Sequence, residues 1–260
     1  MKIQKLFIGI LSFVILASNA YALSINIDPA SIMVTLKAGE TKDGEIFVQN
    51  LGGDKIKIKA YAEDWIYASD GSKVFMKPGS SVYSCSSWIK LDPESFDLAP
   101  KENKTVKYTI TSPSTASGGH VSVIFFEVVM DKSAGIAVSG RIGTIIYQDT
   151  EGDIKRSGEI KGFSVTTSQE SEPINLSISF INNGNSYISA KPSITITDDG
   201  KTVVDTSAMK INTLPGDTKT SIITLDQTLP EGNYKAEIEL NFDDKSLKSR
   251  SDFTIKKSAQ

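Results

Sequence analysis

The side chains able to do chemistry are few in this 260-residue chain, which carries one histidine, His120, and one cysteine, Cys85. A zinc site built from Cys and His, a Cys-His nucleophile pair with a spare base and an intramolecular disulfide are all ruled out by that count. His120 follows Gly118-Gly119, away from any G-x-S-x-G nucleophile motif, and reads as a strand-end residue. Cys85, in Tyr83-Ser84-Cys85-Ser86-Ser87-Trp88, is expected either buried or in an intermolecular or mixed disulfide. Carboxylates gather at Asp198-Asp199, at Asp243-Asp244 and at Asp149/Glu151/Asp153. Such groups serve as acid/base pairs or calcium ligands elsewhere, but each set here falls in a turn. Asp149-x-Glu151-x-Asp153 also lacks the remainder of a calcium loop, so these groups read as solvated turn formers. The residues predict no enzyme, no cofactor and no metal site. With 28 Lys+Arg against 31 Asp+Glu, a formal net charge of -3 and no long basic run, nucleic acid is not an expected partner.

The N-terminus carries an export pattern. Lys2 and Lys5 precede an apolar run, Leu6 to Ala17, of about 12 residues, and Ala20-Tyr21-Ala22 offers a small-x-small cleavage site. The run falls short of the ~20 residues that span a bilayer. Residues 1–22 are expected to be a cleaved signal peptide, leaving no integral membrane segment and a protein that is periplasmic or secreted to the cell surface.

The remainder reads as strands. Lys55 to Ala62 alternates Ile56, Ile58, Ala60 and Ala62 with Lys55, Lys57, Lys59 and Tyr61, the period of two that gives one face to a core and the other to water. The alternation returns at Ile46/Val48, Val106/Tyr108/Ile110, Leu176/Ile178/Phe180, Ile194/Ile196 and Tyr234/Ala236/Ile238/Leu240/Phe242. Turn signals such as Leu51-Gly52-Gly53-Asp54 and Asn182-Asn183-Gly184-Asn185 separate the runs. The pattern predicts an all-β chain of two tandem immunoglobulin-like sandwiches, over 23–148 and 159–260, with a short linker at 149–158. Trp65 and Trp88 are expected to pack the first core, and Tyr234 to be a corner tyrosine of the second sandwich.

Two adjacent runs differ from the others. Gly119 to Met130 is apolar on both faces, as a strand covered on both sides would be. Ile136 to Tyr147 follows after Asp131 to Gly135 and alternates Ile136 and Val138 with small residues. At a sheet edge it would offer unpaired backbone groups beside apolar side chains, a template for a partner strand. The competing arrangement has that strand covered by the chain's own first strand or by the second domain.

Ile27-Asp28-Pro29-Ala30-Ser31-Ile32-Met33-Val34, the turn at Gly39-Glu40, Val48-Gln49-Asn50, Trp65, Trp88-Ile89, Pro93, Phe96-Asp97-Leu98-Ala99-Pro100 and the run from Ile136 to Tyr147 together resemble the first domain of PapD-like periplasmic pilus chaperones, over residues 24 to 148. The resemblance implies an L of two domains that lends an edge strand to an incomplete pilus subunit. It makes Ile136, Val138 and Ile142 candidates for the donated apolar row. Family members also hold the subunit's terminal carboxylate with an Arg and a Lys. In this chain the first of those positions falls near Ala30 or Ser31, and Arg141 lies near the second. The partner so implied is a pilus or envelope subunit. A weaker resemblance, to surface proteins with paired immunoglobulin-like domains that bind peptidoglycan and WxL-type partners, implies a structural or adhesive role instead.

Overall fold

The computed structural model describes residues 25–129, 140–167, 169–170 and 172–257. The expected signal peptide and two of the candidate binding residues, Ile136 and Val138, lie outside the described residues. Among the described residues, no helix is long and apolar enough to cross a membrane.

Period-two alternation builds the first sandwich from β1 (Ile25–Asp28), β2 (Ser31–Leu36), β3 (Thr41–Asn50), β4 (Ile56–Tyr67), β5 (Lys73–Met76), β6 (Ile89–Asp92), β7 (Ser95–Leu98), β8 (Asn103–Thr111), β9 (Gly119–Val129) and β10 (Arg141–Thr150). One sheet runs β1-β3-β8-β6 and the other β2-β10-β9-β4-β5, with β7 also paired to β4. Ile46, Val48, Ile58, Leu98, Ile110, Ile124, Phe126 and Ile146 are fully buried between them. Each such side chain stabilises the fold by about 1.5–3 kcal/mol relative to exposure. Cys85 lies in the same core, and burial pushes its thiol pKa up. The leading strand serves both sheets: β1 pairs with β3, the chain crosses at Pro29-Ala30, and β2 then runs parallel to β10.

The second sandwich comprises β11 (Gly158–Val165), β12 (Ile174–Asn182), β13 (Ile188–Asp198), β14 (Lys201–Ser207), β15 (Ile211–Thr213), β16 (Thr218–Leu225), β17 (Gly232–Phe242) and β18 (Lys245–Ile255). Its sheets run β11-β12-β16 and β14-β13-β17-β18, with β15 paired to β13. Leu176, Ile178, Phe180, Ile194, Ile196, Ala236, Ile238 and Leu240 are fully buried between them. Tyr234 is the corner residue expected, buried and donating its hydroxyl to the Pro230 carbonyl at 3.0 Å.

A third apolar cluster lies between the sandwiches. Trp65, Val121, Val123 and Phe125 of the first meet Leu214 of the second, with Tyr67, Tyr147 and Tyr187 packed around them. This explains why β9 is apolar on both faces, since one face lines the first core and the other is covered by the second sandwich. It also corrects the place of Trp65. On β4 the even residues Ile58 and Ala60 turn inward, so Trp65, of odd number, points to the opposite face and out of the first core. Trp88 does pack against the first core. β10 likewise runs past its expected end at Tyr147, because Asp149 and Thr150 pair with Thr35 and Leu36 of β2.

Candidate functional site

β10 is bordered by β9 from Arg141 to Asp149, but by β2 only from Ile145 to Thr150. The second border begins where the Thr144 hydroxyl donates to the Pro29 carbonyl at 2.8 Å and the Ile145 amide to the Ala30 carbonyl at 3.0 Å. Backbone groups alternate direction along a strand, so the amides of Arg141 and Gly143 point the same way as that of Ile145. Among the described residues, no strand pairs with Arg141 to Thr144 on that side. The two arrangements the sequence allowed are thus both met in part: the chain's own β2 covers the later part of the run, and among the described residues its leading part has no strand on that side.

The two described candidate residues do not share a face. Ile142 lies opposite Phe126 and packs, partly buried, against the first core. Arg141 lies opposite Glu127 and turns to the other face of the sheet, where its guanidinium carbon sits 3.8 Å from the Phe125 ring centroid. Its Nη1 donates to Glu63 Oε2 at 2.9 Å and to the Tyr61 hydroxyl at 3.1 Å. Tyr61 in turn donates to Glu127 Oε2 at 3.0 Å. Burial pushes the Tyr61 hydroxyl pKa up. Burial alone would lower that of Arg141, but Tyr61 and Glu63 turn its net shift upward. Arg141 is thus already matched to a carboxylate of its own chain, and Ala30 and Ser31 bring no charge. The pair of free cations that the resemblance implies is not assembled here.

Behind this edge the two sandwiches are clasped. The Tyr147 and Tyr187 rings lie 4.2 Å apart, and Trp65 meets Tyr147 edge-on at 6.0 Å. Asp149 forms an ion pair with Arg156 and accepts from the Ser186 hydroxyl at 2.6 Å. The Gly119 amide donates to the Asn185 carbonyl at 2.8 Å, and the Gly118 amide to Asp153 at 3.0 Å. Asp149, expected to be solvated, is instead part-buried in this junction, while Asp153 stays exposed as expected and accepts from it at the rim. A side chain is excluded at Gly119, where a Cβ would lie 2.4 Å from Ser186 Oγ, and at Gly184, where it would lie 2.2 Å from the Lys155 carbonyl.

A buried carboxylate extends the clasp. Asp64 accepts from the Ser81 amide at 2.9 Å and the Ser84 hydroxyl at 2.6 Å, which fixes the loop bearing Tyr83. The Tyr83 hydroxyl then donates to the Pro215 carbonyl at 2.9 Å. The His120 ring lies against Trp88 with centroids 4.4 Å apart and planes tilted by 55°, and its Nε2 lies 3.1 Å from the Ser117 carbonyl. Burial holds the pKa of this imidazole below its usual range. Among the described residues, no group of three His, Cys, Asp or Glu could hold a metal ion.

Residue-by-residue reading missed Tyr61, Glu63 and Phe125 as neighbours of Arg141. A signal was available: the residues of β4 facing the expected solvent side include Tyr61, Trp65 and Tyr67, a row too aromatic for a wet face.

No family model matches the chain, and no curated protein matches it. Among solved structures, a chain of the CsuC-CsuE chaperone-tip adhesion subunit pre-assembly complex from archaic chaperone-usher Csu pili of Acinetobacter baumannii is 12% identical, with a TM-score of 0.46, 91% of this chain covered and 100% of that one. The class 5 fimbriae chaperone CfaA is 16% identical with a TM-score of 0.50, and the match covers 87% of this chain and 98% of that one. The likeness to CfaA bears out the sequence resemblance at the level of fold: this chain has the two-sandwich fold of a fimbrial chaperone.

Proposed function

We propose that the chain is an exported, non-catalytic, chaperone-like protein that holds an extended segment of a pilus or envelope subunit by strand addition at the leading end of β10. The observation that carries this reading is the division of the edge: β2 seals Ile145 to Thr150 and stops, and among the described residues no strand takes up the amides of Arg141 and Gly143. An incoming strand would take up those groups. Ile136, Val138 and Ile142, of one parity in the sequence, would supply its apolar partners. The span 23–148 is then the binding unit and 159–260 its buttress, joined at 149–158. The likeness to CfaA in fold supports this choice over an adhesive role. The place of action is the periplasm or the cell surface.

The test is copurification with subunit-like proteins from the same envelope, followed by Ile136→Asp and Val138→Arg. Loss of the partner with unchanged folding is expected. Undiminished capture by both variants would overturn the reading.

A further inference from the structure

Edge strands are ordinarily defended against unwanted pairing by shortness, charge, proline or a bulge. Among the described residues, four strands at the ends of their sheets have seven residues or more, and three of them carry such devices. β11 has Glu159, Lys161 and a register shift between Ile160 and Gly162. β14 has Lys201 and Asp205, and the ladder shifts beside it between Ile196 and Thr197. β18 carries Lys245, Lys248, Arg250 and Asp252. The fourth, β16, reads Thr-Lys-Thr-Ser-Ile-Ile-Thr-Leu and pairs with β12 without a shift from Ile174↔Leu225 to Ile181↔Thr218. Its one charge, Lys219, is drawn away to the Tyr67 ring, 5.2 Å from the centroid. Ile222, in mid-strand, is 74% exposed. Among the described residues no strand borders β16 on its outer side, since β15 pairs with β13 in the opposite sheet and not with β16.

We infer that β16 is a second pairing edge, and that its occupant is β16 of a second copy of this chain, antiparallel about a two-fold axis at Ile222. The strand is complementary to itself in that register. Ile222 faces its own counterpart, Thr220 faces Thr224 and Ser221 faces Ile223, cross-strand pairs of the kind that stabilise sheets. Lys219 falls opposite Leu225, and the two Lys219 residues stand about 20 Å apart along the joined strands, beyond the range of their repulsion in physiological salt. A strongly charged partner would find only Lys219 as a charge on this edge, whereas a strand of identical sequence brings a single Lys219 of its own, held away from the first. A contact this narrow lies below the size of a standard stable interface, so association at roughly 10–500 μM is expected.

Sedimentation velocity of the whole chain from about 5 μM to about 1 mM is expected to show a monomer passing to a dimer, with Ile222→Lys weakening the dimer about tenfold or more at an unchanged melting temperature. Thr220→Lys serves the same purpose if the first variant folds poorly. Under mild oxidation Ile222→Cys should give a disulfide-linked dimer. Thr218→Cys, about 26 Å from its counterpart in this register, should not. Capture of the β10 partner should survive Ile222→Lys, which separates this edge from the other. A chain that stays monomeric throughout, a dimer indifferent to both lysine variants, or equal cross-linking by the two cysteine variants would overturn the inference.

Discussion

β10 and β18 hold the same place in their sandwiches, each the last strand and each antiparallel to the long strand before it; among the described residues the other flank of β18 is unpaired along its length and that of β10 only over Arg141 to Thr144. Their side chains diverge. On β18, Lys248 reaches Glu237 at 3.1 Å and Glu239 at 3.2 Å, and Arg250 reaches Glu237 at 2.5 Å, so charge lines the final hairpin. At the leading end of β10 the one charge, Arg141, is folded back over Phe125, Ile142 is apolar and Gly143 has no side chain. Both strands thus carry backbone groups that no described strand pairs; composition defends them on β18 and not at the leading end of β10.

The strongest way to break this contrast is through the sealed part of β10. Ile146→Ala removes a fully buried side chain and is expected to cost about 2–5 kcal/mol, read from the urea midpoint. Leu247→Ala on β18, where the side chain is only partly buried, should cost clearly less. The clasp behind β10 comes next, because Gly119→Val drives a side chain into Ser186 and is expected to cost about 1–3 kcal/mol. At the open end the backbone and the side chain can be told apart. Arg141→Pro deletes an outward amide and should weaken partner capture about tenfold or more, while Arg141→Ala should leave it within about threefold.

A smaller effect follows from pH. Burial holds His120 below its ordinary pKa, so the unfolded chain takes up the proton more readily than the folded one. Its contribution is therefore fully present above the unfolded value near 6.5 and is lost as pH falls below it. Melting temperature should drop between pH 7 and pH 5, and by less in His120→Gln. Smallest of all, Lys248→Ala on β18 should leave the urea midpoint unmoved, since its partners are solvent-screened.

Most of the architecture was legible because period two is a strong signal in strands with one wet face, as in Ile56, Ile58 and Ala60 against Lys57 and Lys59. Trp65 was expected in the first core by analogy with other sandwiches, although its parity puts it on the opposite face, and parity alone does not say what covers that face. β9 carried the correction in its own apolar run, which demanded a cover that Leu214 and Tyr187 supply from more than sixty residues away in sequence. The division of β10 was not legible, since it depends on where β2 begins after Pro29 and not on any residue of β10 itself. Arg141 was read as available because its partners, Glu63 and Tyr61, stand on a strand about eighty residues earlier. Asp149 and Asp153 sat in a stretch with the composition of a turn, and only the fold brings Arg156, Ser186 and Gly118 to them.

The sealed position of Cys85 gives the molecule a built-in clock. With no exposed surface and a thiol whose ionisation burial suppresses, it can react only when the first sandwich opens. The rate at which a thiol reagent labels the native chain therefore counts openings of that sandwich alone, while the second, which has no cysteine, stays silent.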